Sequence, residues 1–227
     1  MELKEKVVLI TGSSEGIGAE TAKLFSQEGA NVIITYLTNK KKAKEIFEDC
    51  NKFNKAMLIQ LDVTDEESIK NCVESVIDKF GAIDILINNA GVAVWKKHSE
   101  QTTEEIDLQI DVNLKGLIKM TKKVLPYMQA QGEGLIINIG SGAGKTGFSN
   151  MTSYCSTKFG VRGFTQALAK ELNRGIKTYV VNPGMTSTKM TNYTGVDAKE
   201  VAKIILKTGK ESLEKNSGDD IDVWKYL

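Results

Sequence analysis

The chain has 227 residues, enough for one sizeable hydrophobic core and too few for two domains of ordinary size, so a single domain over residues 1–227 is expected. Its 30 Lys and Arg balance 29 Asp and Glu, and a formal charge of +1 gives no general attraction to nucleic acid or to an anionic membrane. A single histidine, His98, and three cysteines, Cys50, Cys72 and Cys155, without CxxC or Cys/His spacing, rule against a zinc site or a Ser-His-Asp triad, and no metal is expected.

The first residues, "MELKEKVVLIT", pass from charges to a short apolar run rather than to a secretory leader, and no run of 18 apolar residues follows. A soluble, cytoplasmic protein with reduced thiols is therefore expected. "KVVLIT" (6–11) is nearly continuous in apolar residues, as in a strand covered on both faces, and leads into "TGSSEGIG" (11–18) and the helical spacing of "AETAKLFSQEG". Gly12, Gly16 and Gly18 give a G-x-x-x-G-x-G spacing between strand and helix. Glycine there permits a sharp turn and a close approach of backbone to a pyrophosphate, which the helix N-terminus then faces with free N–H groups. Ser14, Glu15 and Ile17, set among the glycines, are expected cofactor contacts with them. The alternative is a tight strand–helix turn without a ligand.

The second strand, "NVIITY" (31–36), continues as "LTNKKKAK". An acid at this strand end would bind the ribose 2′-OH of NAD and repel the 2′-phosphate of NADP. None stands at Tyr36, Leu37 or Thr38, and Lys40, Lys41 and Lys42 follow, so NADP(H) is favoured, with Tyr36, Thr38 and Lys40 as contacts. NAD(H) remains possible: the lysines also suit the solvated opening of a helix, and Glu15 occupies the glycine turn where an arginine would suit a 2′-phosphate better.

Further strands are expected at "AMLIQL" (56–61), "DILIN" (84–88), "GLIINI" (134–139), "KTYVVN" (177–182) and "DIDVW" (220–224). Helical spacing marks 65–81, one long pattern over 104–132, 154–175 and 197–215, with Gly29, Gly81 and Gly175 as left-handed caps. Strand–helix alternation of this kind gives an α/β fold: a doubly wound parallel sheet of about seven strands with helices on both faces, in three layers. No repeat or linker interrupts it.

"IGSGAGKTG" (139–147) has the look of an ATPase phosphate loop. That loop needs four residues between its first glycine and Gly-Lys-Thr, and the position required is Ile139, with Gly140 one residue late, so the match fails. Tyr154 and Lys158 are four apart and share a helix face, so an ammonium can lie near a phenol. A tyrosine titrates near 10 unperturbed; a neighbouring ammonium favours the phenolate and brings the group toward the range for proton exchange with an alcohol or carbonyl oxygen. Spacing alone describes a surface pair equally well. Asn113, a poor helix former in the middle of a helical pattern, suits a polar task.

These segments occur in an order that resembles the short-chain dehydrogenase/reductase family: "TGSSEGIG", "LDV" (61–63), "NNAG" (88–91), "VNLKG" (112–116), "GS" (140–141), "YCSTK" (154–158) and "NPG" (182–184). The resemblance covers most of the chain, particularly to 3-oxoacyl-carrier-protein reductases and carbonyl reductases, and implies a Rossmann-type fold. It implies Tyr154 as general acid/base, Ser141 holding the reacting oxygen, Lys158 tuning Tyr154 and binding the nicotinamide ribose, and Asn113 positioning a water for proton passage. It further implies cofactor contacts at Asp62 and Val63, at Asn89, Ala90 and Gly91, and at Pro183, Gly184, Met185 and Thr188, with Asn88 structural. Lys145 and Thr146 are then solvated loop residues or near substrate, Cys155 a small buried residue, His98 a surface or rim residue, and Trp95 a pocket wall or a packing anchor.

Two departures stand out. Only "MTNYTG" lies between Lys189 and the last helical pattern, a short lid that implies an open pocket or one closed by another segment or subunit, and the C-terminal "DIDVWKYL" lacks a glycine-rich strand end. The family tendency implies a homodimer or homotetramer built on the helices holding Asn113 and Tyr154. The expected activity is NADP-dependent reduction of a ketone, a 3-oxoacyl thioester or small carbonyl. The rivals are an NAD-dependent alcohol dehydrogenase and a non-catalytic dinucleotide sensor.

Overall fold

A computed structural model describes all residues, Met1–Leu227. Seven strands form one sheet in the order β3-β2-β1-β4-β5-β6-β9: β1 (Val7–Ile10), β2 (Asn31–Tyr36), β3 (Ala56–Gln60), β4 (Ile85–Asn88), β5 (Gly134–Ile139), β6 (Ile176–Asn182) and β9 (Asp220–Asp222). Every pairing is parallel. The order reverses between β1 and β4, which opens a crevice at the carboxyl ends of these two strands.

Side chains alternate across the sheet and feed two cores. Val8, Ile10, Val32, Ile34, Ile85 and Ile87 face helices α1 (Gly16–Gln27), α2 (Lys40–Cys50) and α7 (Ala198–Gly209). Leu9, Ile33, Leu86 and Ile136 face α3 (Glu66–Phe80), α5 (Leu117–Gln131) and α6 (Thr152–Glu171). This two-sided burial is why the strands read as unbroken apolar runs.

Three expectations need correction. The long 104–132 pattern is not one helix: α4 (Thr103–Ile110) passes through a π-helical segment, Asp111–Gly116, into α5. Gly116 sits there because a Cβ would come within 2.8 Å of Val63 Cγ2 and 2.9 Å of the Val63 carbonyl oxygen. Gly175, though left-handed at φ 99°, is no helix cap; α6 ends four residues earlier and Gly175 makes the turn into β6 against the Gly132 carbonyl. The last helix stops at Gly209 rather than running to 215, because Glu211 and Glu214 adopt positive φ. A short parallel pair, β7 (Thr186–Ser187) with β8 (Val196–Asp197), closes the 186–197 loop.

Candidate active site

A cavity of about 740 Å³ occupies the crevice at the carboxyl edge of the sheet. Its floor on one side is the turn between β1 and α1. Gly12, at φ 65°, allows no side chain, since a Cβ would lie 2.9 Å from Ala90 Cα, and a Cβ on Gly18 would lie 2.6 Å from the Gly12 carbonyl oxygen. The Gly12 N–H donates to Thr35 Oγ1 (2.9 Å), and Asn89 Nδ2 donates to the Thr11 and Gly12 carbonyls (2.9 and 3.0 Å). Thr11 Oγ1 accepts from the N–H groups of Asn89 and Ala90 at 2.9 and 3.0 Å. The turn is thus held rigid from beneath, while Glu15 at the N-cap makes no side-chain cap and the first turn of α1 carries no acid. Uncapped N–H groups at the positive end of a helix, facing a glycine-walled hollow, fit a pyrophosphate.

The other side of the cavity is the loop after β5 and the start of α6. Ser141, in extended backbone, accepts from the Ala143 N–H (3.1 Å) and lines the cavity beside the Tyr154 phenol. Lys158, one turn along α6, is 5% exposed; its Nζ lies 5.6 Å from the Tyr154 ring centre and donates to the Ile139 carbonyl (2.8 Å). Burial pushes the Lys158 ammonium down to about 8. Burial also raises the Tyr154 phenol above its ordinary value, against a smaller lowering by the Ser141 hydrogen bond. Burial thus opposes the expected bias of Tyr154 toward phenolate, while the Lys158 ammonium is engaged at the Ile139 carbonyl.

Asn113 lies within the π-helical segment, 1% exposed, a kind of bulge that recurs at functional sites. Its Oδ1 accepts from the Val92 N–H (2.8 Å), and its Nδ2 donates to the Val92 carbonyl (2.8 Å) and Thr157 Oγ1 (3.2 Å). The asparagine therefore ties the β4 turn to α6 directly beneath Tyr154 and Lys158.

A profile of the short chain dehydrogenase family matches residues 6–199. The chain belongs to that family. It is an NAD(P)-dependent oxidoreductase of the short-chain dehydrogenase/reductase type. It is 39% identical over 211 residues to a 3-oxoacyl-[acyl-carrier-protein] reductase of Thermotoga maritima, covering 92% of this chain and 86% of that one. It is 38% identical over 204 residues to an uncharacterized oxidoreductase of Staphylococcus epidermidis, covering 89% and 86%. Among solved structures it resembles levodione reductase (TM-score 0.91, 25% identity, 97% and 96% covered). It also resembles a short chain dehydrogenase from Burkholderia cenocepacia in complex with NADP (TM-score 0.89, 29% identity, 98% and 97% covered).

Most of the expected short-chain dehydrogenase positions converge on the one cavity: Gly12, Ser14, Glu15, Gly16, Ile17, Tyr36, Thr38, Asp62, Val63, Asn89, Ala90, Gly91, Ser141, Tyr154, Lys158, Pro183, Gly184, Met185 and Thr188 all line it. Gly18, Lys40 and Asn113 do not. Gly18 and Asn113 stand behind the wall. The lysine that approaches the glycine turn is Lys42, which donates to Glu15 Oε2 at 2.8 Å, while Lys40 is exposed. Asn88 is buried in a chain of side-chain bonds to Asn138 Oδ1 (2.9 Å) and Thr121 Oγ1 (3.0 Å), away from the cavity.

Trp95 lines the cavity, as do Leu108, Phe148, Met151 and Met190. The sequence carries no signal for the last four, which arrive from α4 (Leu108), from the loop before α6 (Phe148 and Met151) and from the turn at 189–191 (Met190). Thr11, Thr35 and Asn182 were also missed, although a threonine near the end of an otherwise apolar strand, as in "NVIITY", is a legible sign of a polar duty at the sheet edge. His98 is exposed on a short helical turn, and Cys155 is buried against Ala143, Met151 and Tyr154. Lys145 is not a solvated loop residue: its Nζ reaches both Asp222 carboxylate oxygens at 2.8 and 2.7 Å. The nearby acids group into no metal-binding cluster, and no helix is long and apolar enough to cross a membrane.

Proposed function

We propose that the protein reduces a ketone to a secondary alcohol, with NADPH as the preferred dinucleotide. The cofactor supplies the hydride to the carbonyl carbon. The Tyr154 phenol donates a proton to the carbonyl oxygen, Ser141 Oγ–H holds that oxygen, and Lys158 binds the nicotinamide ribose and returns a proton to Tyr154, with solvent supplying the proton consumed. Asn113, which holds the β4 turn against α6 through Val92 and Thr157, positions a water for that proton's passage to Lys158. Gly12, Ser14, Glu15, Gly16 and Ile17 cradle the pyrophosphate; Asp62, Val63 and Asn89 to Gly91 take the adenosine side; Pro183 to Met185 and Thr188 take the carboxamide.

The observation that carries this reading is that Ser141, Tyr154 and Lys158 meet on one wall of the cavity, across from the glycine turn. A phenol is protonated at neutral pH and so can donate to a carbonyl oxygen, which suits reduction, and burial of Tyr154 reinforces that state. The walls formed by Trp95, Leu108, Phe148, Met151 and Met190 suit an apolar group on the ketone, either an acyl chain on a thioester or a small ring.

One observation favours the NAD-dependent alternative: Lys42 is already paired with Glu15, so a 2′-phosphate must displace a carboxylate to reach it. Fluorescence titration with NADPH and NADH, followed by a panel of ketones and 3-oxoacyl thioesters, separates the readings. Tighter NADPH binding with substrate-dependent loss of nicotinamide fluorescence supports the proposal. Tighter NADH binding with alcohol oxidation supports the rival, and binding without turnover on any carbonyl removes the catalytic reading in favour of a sensor. Pairing of copies through α5 and α6 into a homodimer or homotetramer is proposed with it, and light scattering checks the mass.

A further inference from the structure

Asp220 and Asp222 are two apart on β9, so both carboxylates point to the same face of the strand while Ile221 enters the core. The Asp222 side chain is 3% exposed, yet it gathers Lys145 at 2.8 and 2.7 Å, Asn182 Nδ2 at 3.1 Å and Lys225 at 3.1 Å. Asp220 accepts from Arg162 Nε (2.9 Å) and Nη2 (2.6 Å) and from Asn182 Nδ2 (3.0 Å). Arg162 Nη1 in turn donates to the Gly144 carbonyl (2.8 Å). Both carboxylates are held below the usual range: burial raises them, but the bonds from Arg162 and Asn182 to Asp220, and from Lys145, Lys225 and Asn182 to Asp222, lower them further.

Three of these partners, Lys145, Asn182 and Arg162, lead to the loop that presents Ser141. Because both carboxylates take the Asn182 amide N–H groups, its Oδ1 is left to accept from the Ser141 N–H, at 3.3 Å. The loop after the serine is fastened at Lys145 and at the Gly144 carbonyl, and Gly144 packs so closely on α6 that a Cβ would come within 2.6 Å of the Lys158 carbonyl oxygen. The serine is thus held on both sides by carboxylates that touch neither the cavity nor Tyr154.

We infer that Asp222, with Asp220, is a positioning residue for Ser141: it orients the Asn182 amide and pins Lys145, and so sets the distance between the serine hydroxyl and the Tyr154 phenol. The inference rests on the proposed role of Ser141 for its effect on rate, and on geometry alone for its effect on the loop.

The test uses Asp222→Asn, which keeps the shape and removes the charge, and Lys145→Met, which loosens the same tie from its more exposed side and guards against a variant that fails to fold. Hydrogen exchange of the 141–147 amides and steady-state kinetics are measured on both. Faster exchange confined to this loop is expected, with kcat down about tenfold or more, since small misplacement near a reacting centre carries large rate penalties. KM for the dinucleotide stays within about twofold because the glycine turn is untouched. Asp222→Glu recovers part of the rate. Unchanged loop exchange in two folded variants, or a fall in Tm with kcat intact, overturns the inference. If the wild-type protein reduces no carbonyl, the proposed function fails, and the exchange measurement still decides whether the carboxylates anchor the loop.

Discussion

The two walls of the cavity are built in opposite ways. The wall between β1 and α1 is made of backbone: Gly12 brought close to Ala90, uncapped N–H groups, and a rim whose charges, Glu15 and Lys42, stand in solvent. The wall between β5 and α6 is made of side chains, half-buried Ser141 and buried Tyr154 and Lys158, with the serine loop fastened by carboxylates brought from β9. A backbone cradle accepts a ligand with two negative phosphates by presenting what any helix start has to offer, whereas a side-chain wall can shift a proton only if each group is held and desolvated.

That contrast predicts effects of different kind and size. The largest belongs to the side-chain wall: Tyr154→Phe removes the proton donor, and kcat is expected to fall by about 10³-fold or more while the NADPH dissociation constant, read by fluorescence, changes less than about twofold. Retained turnover would take the acid role away from Tyr154. On the backbone wall, Gly12→Ala puts a methyl group 2.9 Å from Ala90 Cα at φ 65°. Binding of both dinucleotides is expected to weaken by about tenfold or more, with about 1–3 kcal/mol lost from unfolding stability by strain; calorimetry reads both.

A smaller effect comes from pH. Lys158 titrates near 8 in the fold against 10.5 when free, so below about 8 the fold bears the burden of a buried charge, and between these values the unfolded chain binds the proton that the fold has released. Stability contributed by this group therefore rises with pH across that window. The wild-type minus Lys158→Met difference in urea midpoint isolates it, and a flat difference from pH 7.5 to about 10 would show an ordinary lysine. The smallest is at the rim: Glu15→Gln frees Lys42, and the ratio of NADPH to NADH affinity is expected to rise a few-fold, since exposed pairs are worth about 0.2–1 kcal/mol. An unchanged ratio would remove Lys42 from cofactor choice.

The backbone wall was also the more legible. Glycine spacing between a strand and a helix states the turn outright, and the seven apolar runs marked the seven strands to within a residue or two, because two-sided burial leaves no polar interruption. On the side-chain wall, Tyr154 and Lys158 were visible because helix geometry links positions four apart. Their protonation was not: the sequence puts an ammonium near a phenol but says nothing of how completely water is excluded from both. Lys145 was misjudged for a related reason, since its partner lies 77 positions away and only the β6–β9 pairing brings it near. The π-helical segment hid within an unbroken helical pattern; Asn113 and Gly116, both weak helix formers, were its only trace.

The strand carrying Asp220 and Asp222 sits at the edge of the sheet and is the last to be synthesised. The glycine-turn wall draws on β1, β2 and β4 at the centre of the sheet, whereas the serine loop takes its anchors from residues 220 and 222, which pair with β6 at the edge. The serine loop is therefore secured by a contact of long sequence separation, made only through the edge strand of the sheet.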